Sequence, residues 1–486
     1  MNETTDLLII GAGPAGMAAA LAAASSGARI VLLDDNPLPG GQIWRDGPQA
    51  NLPSAARHLR DQLQTCANVR CHAGARVIAC AADKTLLVED AERGWRISYD
   101  RLILCTGAQE LLLPFPGWTL PGVTGAGGLQ ALIKGGLPVR GERLVIAGSG
   151  PLLLASASTA KHQGAQLVRI AEQASRTAVA GFAAQLPRWP GKFFQSFGLF
   201  NRHYRTDTYV VEALGRERLE GVRLLQQGKT LELACDRLAC GFGLIPNTQL
   251  GQALGCAVED QALAVDAWQA TTRVGHYAAG ECTGFGGSEL ALVEGAIAGH
   301  AAVGNTAAAQ RLWPQRTRWQ GFAQALNKAF TLGPQLKTLA RADTLVCRCE
   351  DVPYGELVGH ENWREAKLAS RCGMGACQGR VCGAALEHLL GWTPPPRARR
   401  SARRGSKPCW PWNKPHPPEP DTHPTQTCTH HKLPVGASLL AIAVGLLASM
   451  LDVLTPSRAG SLPQGFEVNF NFAAPQDPMW ERACSR

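Results

Sequence analysis

The sequence predicts an α/β protein built from two dinucleotide-binding (Rossmann-like) units, the first interrupted by the second, then a small cysteine-rich module and an atypical tail. Three observations predict it. An apolar run opens into a glycine turn at Asp6 to Gly16 (DLLIIGAGPAG), a second does so at Arg143 to Gly150 (RLVIAGSG), and five cysteines crowd between Cys347 and Cys382. A buried strand, a glycine turn and a helix N-terminus facing a pyrophosphate are the parts of such a unit.

In the first unit, Leu7 to Ile10 reads as a strand, and Gly11, Gly13, Pro14, Ala15 and Gly16 turn the chain into an alanine-rich helix that Gly27 ends. Ile30 to Leu33 forms the next strand. Asp34 closes it, where a carboxylate can accept from a ribose 2'-hydroxyl. In NPLPGGQIW, Gly40 and Gly41 let backbone amides approach a ligand beside Gln42, although an ordinary turn has the same composition. Residues 52 to 72 read as a polar helix and a short strand, and Ala75 to Glu89 with Trp95 to Tyr99 as antiparallel strands. Tyr99 to Gly107 is a second buried strand that delivers Thr106 and Gly107 to the carboxyl end of the sheet, where ligands sit in a doubly wound fold.

The second unit repeats the pattern imperfectly. Leu153 stands at the third glycine position, and the strand Gln166 to Ala171 ends beside Glu172 with no basic pair to hold a 2'-phosphate. A leucine there pushes helix and strand apart, so NAD(H) binding and a scaffold that has lost its nucleotide both stay open, with NADP less favoured. The chain returns to the first unit at Val274 to Glu281, and Ser288 is positioned to cap a helix starting near Glu289. His276 and His300 read as structural. Cys66 and Cys71, at CxxxxC spacing, read as buried thiols flanking a loop and a strand.

GAGPAG with Asp34, GGQ, CTG and PFPGWTLPGV together resemble the FAD-dependent flavoproteins of the glutathione-reductase and thioredoxin-reductase superfamily. The resemblance implies FAD on the first glycine motif, with Gly280 and Glu281 addressing the sugar chain of the flavin. It assigns no catalytic acid or base to this chain. No CxxxxC follows Gly41 and no CxxC lies in the inserted unit, so a disulfide reductase is not expected. Thiolates at CxC and CxxxxC spacing can converge on one metal centre. CRCED followed by GMGACQGRVC resembles the bacterioferritin-associated-ferredoxin-like module, which implies a 2Fe-2S cluster on Cys347, Cys349, Cys377 and Cys382, with Cys372 a spare thiol. Zinc is the alternative reading of the same cluster.

The whole combination resembles the larger flavoprotein subunits of opine oxidase, hydrogen cyanide synthase and D-hydroxyproline dehydrogenase complexes. It implies a separate substrate-oxidising flavin subunit, a small ferredoxin-like subunit, and peripheral membrane association through the complex. An NAD(P)H-dependent flavin reductase acting alone and a non-enzymatic iron-sulfur sensor are the competing readings. The implied domains are 1–120 with 265–310 for FAD, 121–264 for the insertion, 311–340 as a linker, 341–392 for the cluster and 393–486 as tail.

Of the net charge of +9, the tail from Thr393 supplies +5, with eleven Lys and Arg against six acids. The body is therefore a poor nucleic-acid surface. The first six residues are short, polar and acidic, unlike a secretory leader, so a cytoplasmic setting is expected, with a place at the inner face of a membrane implied only by the resemblance, and sixteen cysteines read as thiols or ligands. The tail's Pro, Arg and Trp composition reads as disordered. Val435 to Leu451 is an uncharged run at the lower edge of a membrane span, equally a short buried or interfacial helix, and Cys428, His430 and His431 lack a fourth ligand nearby.

Overall fold

The computed structural model describes residues 2–392 apart from 49, 51 and 200. The expectations for the tail therefore lie outside the described residues.

The first unit is a seven-stranded sheet. Its strands β1 (Asn2–Ile10), β2 (Ile30–Asp34), β3 (Val69–Ala73), β4 (Arg76–Ala82), β5 (Thr85–Glu89) and β6 (Gly94–Leu104) lie in the order β3-β2-β1-β6-β5-β4. Leu7, Leu8 and Ile9 of β1 are buried, as are all residues of β2, because a parallel strand covered on both faces needs a continuous apolar run. The two strands expected at 95–99 and 99–107 are one. β6 takes β5 antiparallel along its first half and the returning strand His276–Ala278 parallel along its second, so it spans both the antiparallel meander and the nucleotide sheet.

Helix α1 (Pro14–Ala24) lies against the helix Gly287–Ala302. Its alanines have a purpose there: a Cβ at Gly295 or Gly299 would collide with the carbonyls of Ala15 and Ala19. Backbone thus meets backbone, and the two glycines cannot be enlarged without moving a helix.

The second unit is a five-stranded sheet of Tyr204–Arg205, Gln166–Glu172, Arg143–Gly148, Arg237–Gly241 and Val123–Gly125, with an antiparallel three-stranded sheet, Thr208–Leu214, Gly221–Gln226 and Lys229–Ala234, beside it. The chain crosses between the units on a two-stranded ribbon, Ala108–Glu110 against Leu244–Pro246. Leu113, Phe115 and Trp118 already pack in the core of the second unit, and Leu254, Cys256 and Leu263 in that of the first. Residues 311–340, expected as a linker, hold the helix Trp313–Ala329 and a 3-10 turn at Pro334–Thr338. Among the described residues no helix is long and apolar enough to cross a membrane.

Candidate functional site

The cleft at the first glycine turn is assembled from four segments. Gly11 has φ +101 and any side chain there would meet the Cys105 carbonyl, so β1 and the end of β6 close tightly beneath the turn. A Cβ at Gly16 would collide with the Gly11 carbonyl. This holds the start of α1 down onto the turn. Gly13 is the N-cap residue and has no side chain to fill the cap, Pro14 supplies no N–H, and the amides of Ala15 and Gly16 have no protein acceptor among the described residues. Free amides at a helix N-terminus are an anion seat.

Asp34 is buried. It accepts from the Ala12 amide on one oxygen and from the Asn36 amide and side-chain amide, both at 2.7 Å, on the other. A carboxylate has about four acceptor positions, so one remains for a hydroxyl. Gly40 donates to the Ala12 carbonyl at 2.7 Å. That bond brings the Gly40–Gly41 turn over Gly13, whose Cβ would stand 3.9 Å from the Gly41 Cα. Gln42 is held by Arg45, whose guanidinium also donates to Asn36, at 2.9 and 3.0 Å. Arg45 escapes sequence reasoning because one arginine in a loop carries no pattern.

Thr106 and Gly107 are clasped to the returning chain rather than left free. The Thr106 hydroxyl donates to the Asn247 carbonyl at 2.6 Å, and Asn247 donates back from its side chain to Thr106 and from its backbone to Gly107, both at 2.9 Å. The glycine and proline text before Asn247 announces a turn, but not its partner.

At the far end, Gly280 donates from its amide to the Glu294 carboxylate at 3.0 Å, with the Thr283 hydroxyl at 3.4 Å. Burial pushes Glu294 up to about 7. Sequence reasoning missed it, although an acid in the middle of a mostly apolar helix is a visible signal. Burial also raises Glu281, whose carboxylate makes no side-chain hydrogen bond among the described residues. A desolvated, unpartnered carboxylate is costly unless a donor arrives.

Ser288 does not cap. The helix begins at Gly287 with Gly286 as its N-cap, because Gly287 at φ +79 turns the chain into the helix before Ser288 is reached; the serine hydroxyl contacts Glu289 at 3.0 Å instead. Glu289 pairs with Lys192 at 2.7 Å. His276 is structural: it bonds the Tyr99 hydroxyl at 3.1 Å and the Val274 carbonyl at 3.0 Å. Cys66 and Cys71 are not the buried thiols expected. Cys71 is exposed because β3 is an edge strand, and Cys66, at the C-cap of the helix Ser54–Thr65, is half-buried.

The cysteine module has a small core of its own. The strands Leu345–Cys347 and Val352–Pro353 pair, the helix Trp363–Ser370 starts at an Asn362 cap and stops at Arg371 in the left-handed region, and the helix Cys382–Leu390 follows the cysteine loop. All five thiols come together. The sulfurs of Cys347, Cys372 and Cys382 lie buried within 4.8 Å of one another. Cys377 contacts both Cys382 and the exposed Cys349. Cys372, a spare thiol by the resemblance, therefore stands inside the buried trio. Contacts from Cys372 and Cys382 pull Cys347 well below the ordinary thiol range, while Cys382 is pushed up because its neighbours take the charge first. A second or third thiolate in this crowd needs a cation to offset it, which is the electrostatic setting of a metal centre.

The module docks where the chain leaves the cleft. Gln109, two residues after Gly107, donates to the Arg380 carbonyl at 3.0 Å, Trp118 donates to the Leu345 carbonyl at 2.6 Å, and the Arg348 guanidinium lies 5.4 Å from the Trp118 ring.

Residues 5–304 match the family model described as pyridine nucleotide-disulphide oxidoreductase. The hydrogen cyanide synthase component HcnB of Pseudomonas aeruginosa is 32% identical over 442 residues, covering 80% of this chain and 95% of that one. An opine oxidase component of Rhizobium meliloti is 31% identical over 448 residues, covering 80% and 82%. Among solved structures, L-proline dehydrogenase from P. horikoshii superposes with a TM-score of 0.57 at 18% identity, covering 80% of this chain and 75% of that one, a likeness of fold.

Proposed function

The chain belongs to the pyridine nucleotide-disulphide oxidoreductase family and is an FAD-dependent oxidoreductase, and from that premise we propose that it relays electrons between FAD and a 2Fe-2S cluster as one component of an amino-acid or imino-acid dehydrogenase complex. The substrate would be of the opine, hydroxyproline or glycine type. A separate flavin subunit would oxidise it, with a small ferredoxin-like subunit as a further partner and a peripheral place on the inner face of a membrane.

The residues fit the groups. The Ala15 and Gly16 amides and the positive end of α1 would hold the pyrophosphate, the remaining acceptor position of Asp34 a ribose hydroxyl, and Glu281 a hydroxyl of the flavin's sugar chain. Bound there, FAD supplies two-electron and one-electron chemistry in one cofactor. The N-terminus of the Gly287–Ala302 helix favours negative charge at that end of the cleft. Cys347, Cys349, Cys377 and Cys382 would ligate the cluster, with Cys372 as a buried neighbour.

One observation carries the reading. The segment leaving the cleft through Thr106 and Gly107 is hydrogen-bonded, by Gln109, to the carbonyl of Arg380, which lies between Cys377 and Cys382. The cysteine group thus sits against the chain that lines the cleft, as an electron path requires. A relay of this kind needs no acid or base of its own.

The test is anaerobic purification of the full chain, with visible and low-temperature EPR spectra and iron, sulfide and zinc analysis. A flavin spectrum with a 2Fe-2S signal is expected, and Cys377→Ser should remove the signal while FAD stays bound. Zinc in place of iron would refute the cluster. Absence of flavin would refute the assignment of the cleft.

A further inference from the structure

We infer that the dinucleotide cleft of the inserted unit is a socket for the chain's own segment Phe330–Gly333, so that NAD(H) and NADP(H) have no seat on this protein. The inference depends on neither the cluster nor the partner subunits.

The two glycine turns correspond position by position. Gly148 repeats Gly11, since a side chain at either would meet the backbone of the neighbouring strand's end, Gly241 in one case and Cys105 in the other. Gly150 repeats Gly13. A Cβ at Gly13 would stand 3.9 Å from the backbone of Gly41, whereas one at Gly150 would stand 3.8 Å from a side chain, that of Phe330, so what differs is the group on the far wall. Phe330 is fixed there by an edge contact with Phe182, centroids 5.4 Å apart.

Polar bonds hold the segment to the turn. Ser149 donates its hydroxyl to the Phe330 carbonyl at 2.9 Å, and Gln173 donates to Ser149 and to the Thr331 carbonyl, both at 3.0 Å. The Gly333 amide donates to the side-chain carbonyl oxygen of Gln173 at 3.0 Å.

Most of the donors that a pyrophosphate needs are also engaged. Gly150 donates to the buried Glu172 at 2.8 Å, and the amides of Leu153, Leu154 and Ala155 all bond carbonyls of Gly150 or Pro151. The first turn offers the adjacent amides of Ala15 and Gly16, whereas of their counterparts, Leu152 and Leu153, the second is already bonded. Beyond the socket, Leu336 and Leu339 are buried in the core of the inserted unit, so the segment that fills the cleft also anchors the chain leading to the cysteine module.

The test uses the full-length, flavin-loaded protein under anaerobic conditions. NADH and NADPH titrated separately, followed by tryptophan-to-nicotinamide energy transfer, should show no saturable binding below about 1 mM, and neither should bleach the flavin. Hydrogen exchange supplies the positive readout: Gln173→Ala should speed exchange across residues 330–333 by about tenfold or more while leaving β1 unchanged. Ser149→Ala, which removes one bond to the segment, should do the same to a lesser extent and covers the case in which Gln173→Ala does not fold. Submillimolar binding of either nucleotide to the wild type would overturn the inference. Unchanged exchange at 330–333 in the folded variants would overturn it equally.

Discussion

The two glycine turns differ less in their glycines than in what faces them. Gly11 and Gly148 do the same work, and Gly13 and Gly150 occupy the same place. At the first turn the third position is Gly16, packed on the Gly11 carbonyl, and the opposite wall is another glycine turn. At the second it is Leu153, fully buried beside Ile146 and Ala157, and the opposite wall is a phenylalanine. A dinucleotide motif is therefore read correctly only together with its far wall, which is supplied from elsewhere in the chain.

The sharpest way to break this contrast is to give the first turn the residue of the second. Gly16→Leu forces a side chain into the Gly11 carbonyl, costs about 3 kcal/mol or more in displaced backbone, and should yield protein without flavin, measured by its visible spectrum. The reverse exchange should be milder. Leu153→Ala leaves a cavity among well-packed aliphatics and is expected to cost about 2 to 5 kcal/mol in denaturant unfolding, without restoring nucleotide binding while Phe330 stays in place.

A third measurement sharpens the comparison through pH. Glu294, pushed up to about 7 by burial, binds more protons folded than unfolded. The stability it contributes is complete below the unfolded carboxylate pKa near 4.5 and is lost as pH rises through about 7, a swing on the order of a few kcal/mol. Glu294→Gln should flatten stability across that window while leaving the fold intact. The smallest effect belongs to the edge strand. Cys71→Ser should change stability by less than about 0.5 kcal/mol and leave flavin reduction unaltered, whereas a redox role for the Cys66 and Cys71 pair would show as a change in thiol titre on reduction.

Much of this was legible in the sequence for physical reasons. Buried parallel strands must be apolar throughout, which made Leu7 to Ile10 and Ile30 to Leu33 plain, and thiols at short spacing separated by glycines can converge on one centre. The Ser288 cap failed because two consecutive glycines before it offered the backbone an earlier turn. Phe330 and Gln173 were not visible for a different reason. Each acts on a turn far away in sequence, and no local periodicity encodes such a meeting. Cys71 was misplaced because whether a strand is an edge depends on the order of strands in the sheet, which composition does not fix.

The double duty of β6 sets the order of events at the ribosome. Its parallel partner, His276–Ala278, follows the end of β6 only after the whole inserted unit has been made. At typical synthesis rates that is on the order of ten seconds or more, during which the edge of β6 beyond β5 stands unpaired and apolar. Pairings so distant in sequence are slow to close. The sheet of the first unit can therefore be complete only after the inserted unit has emerged.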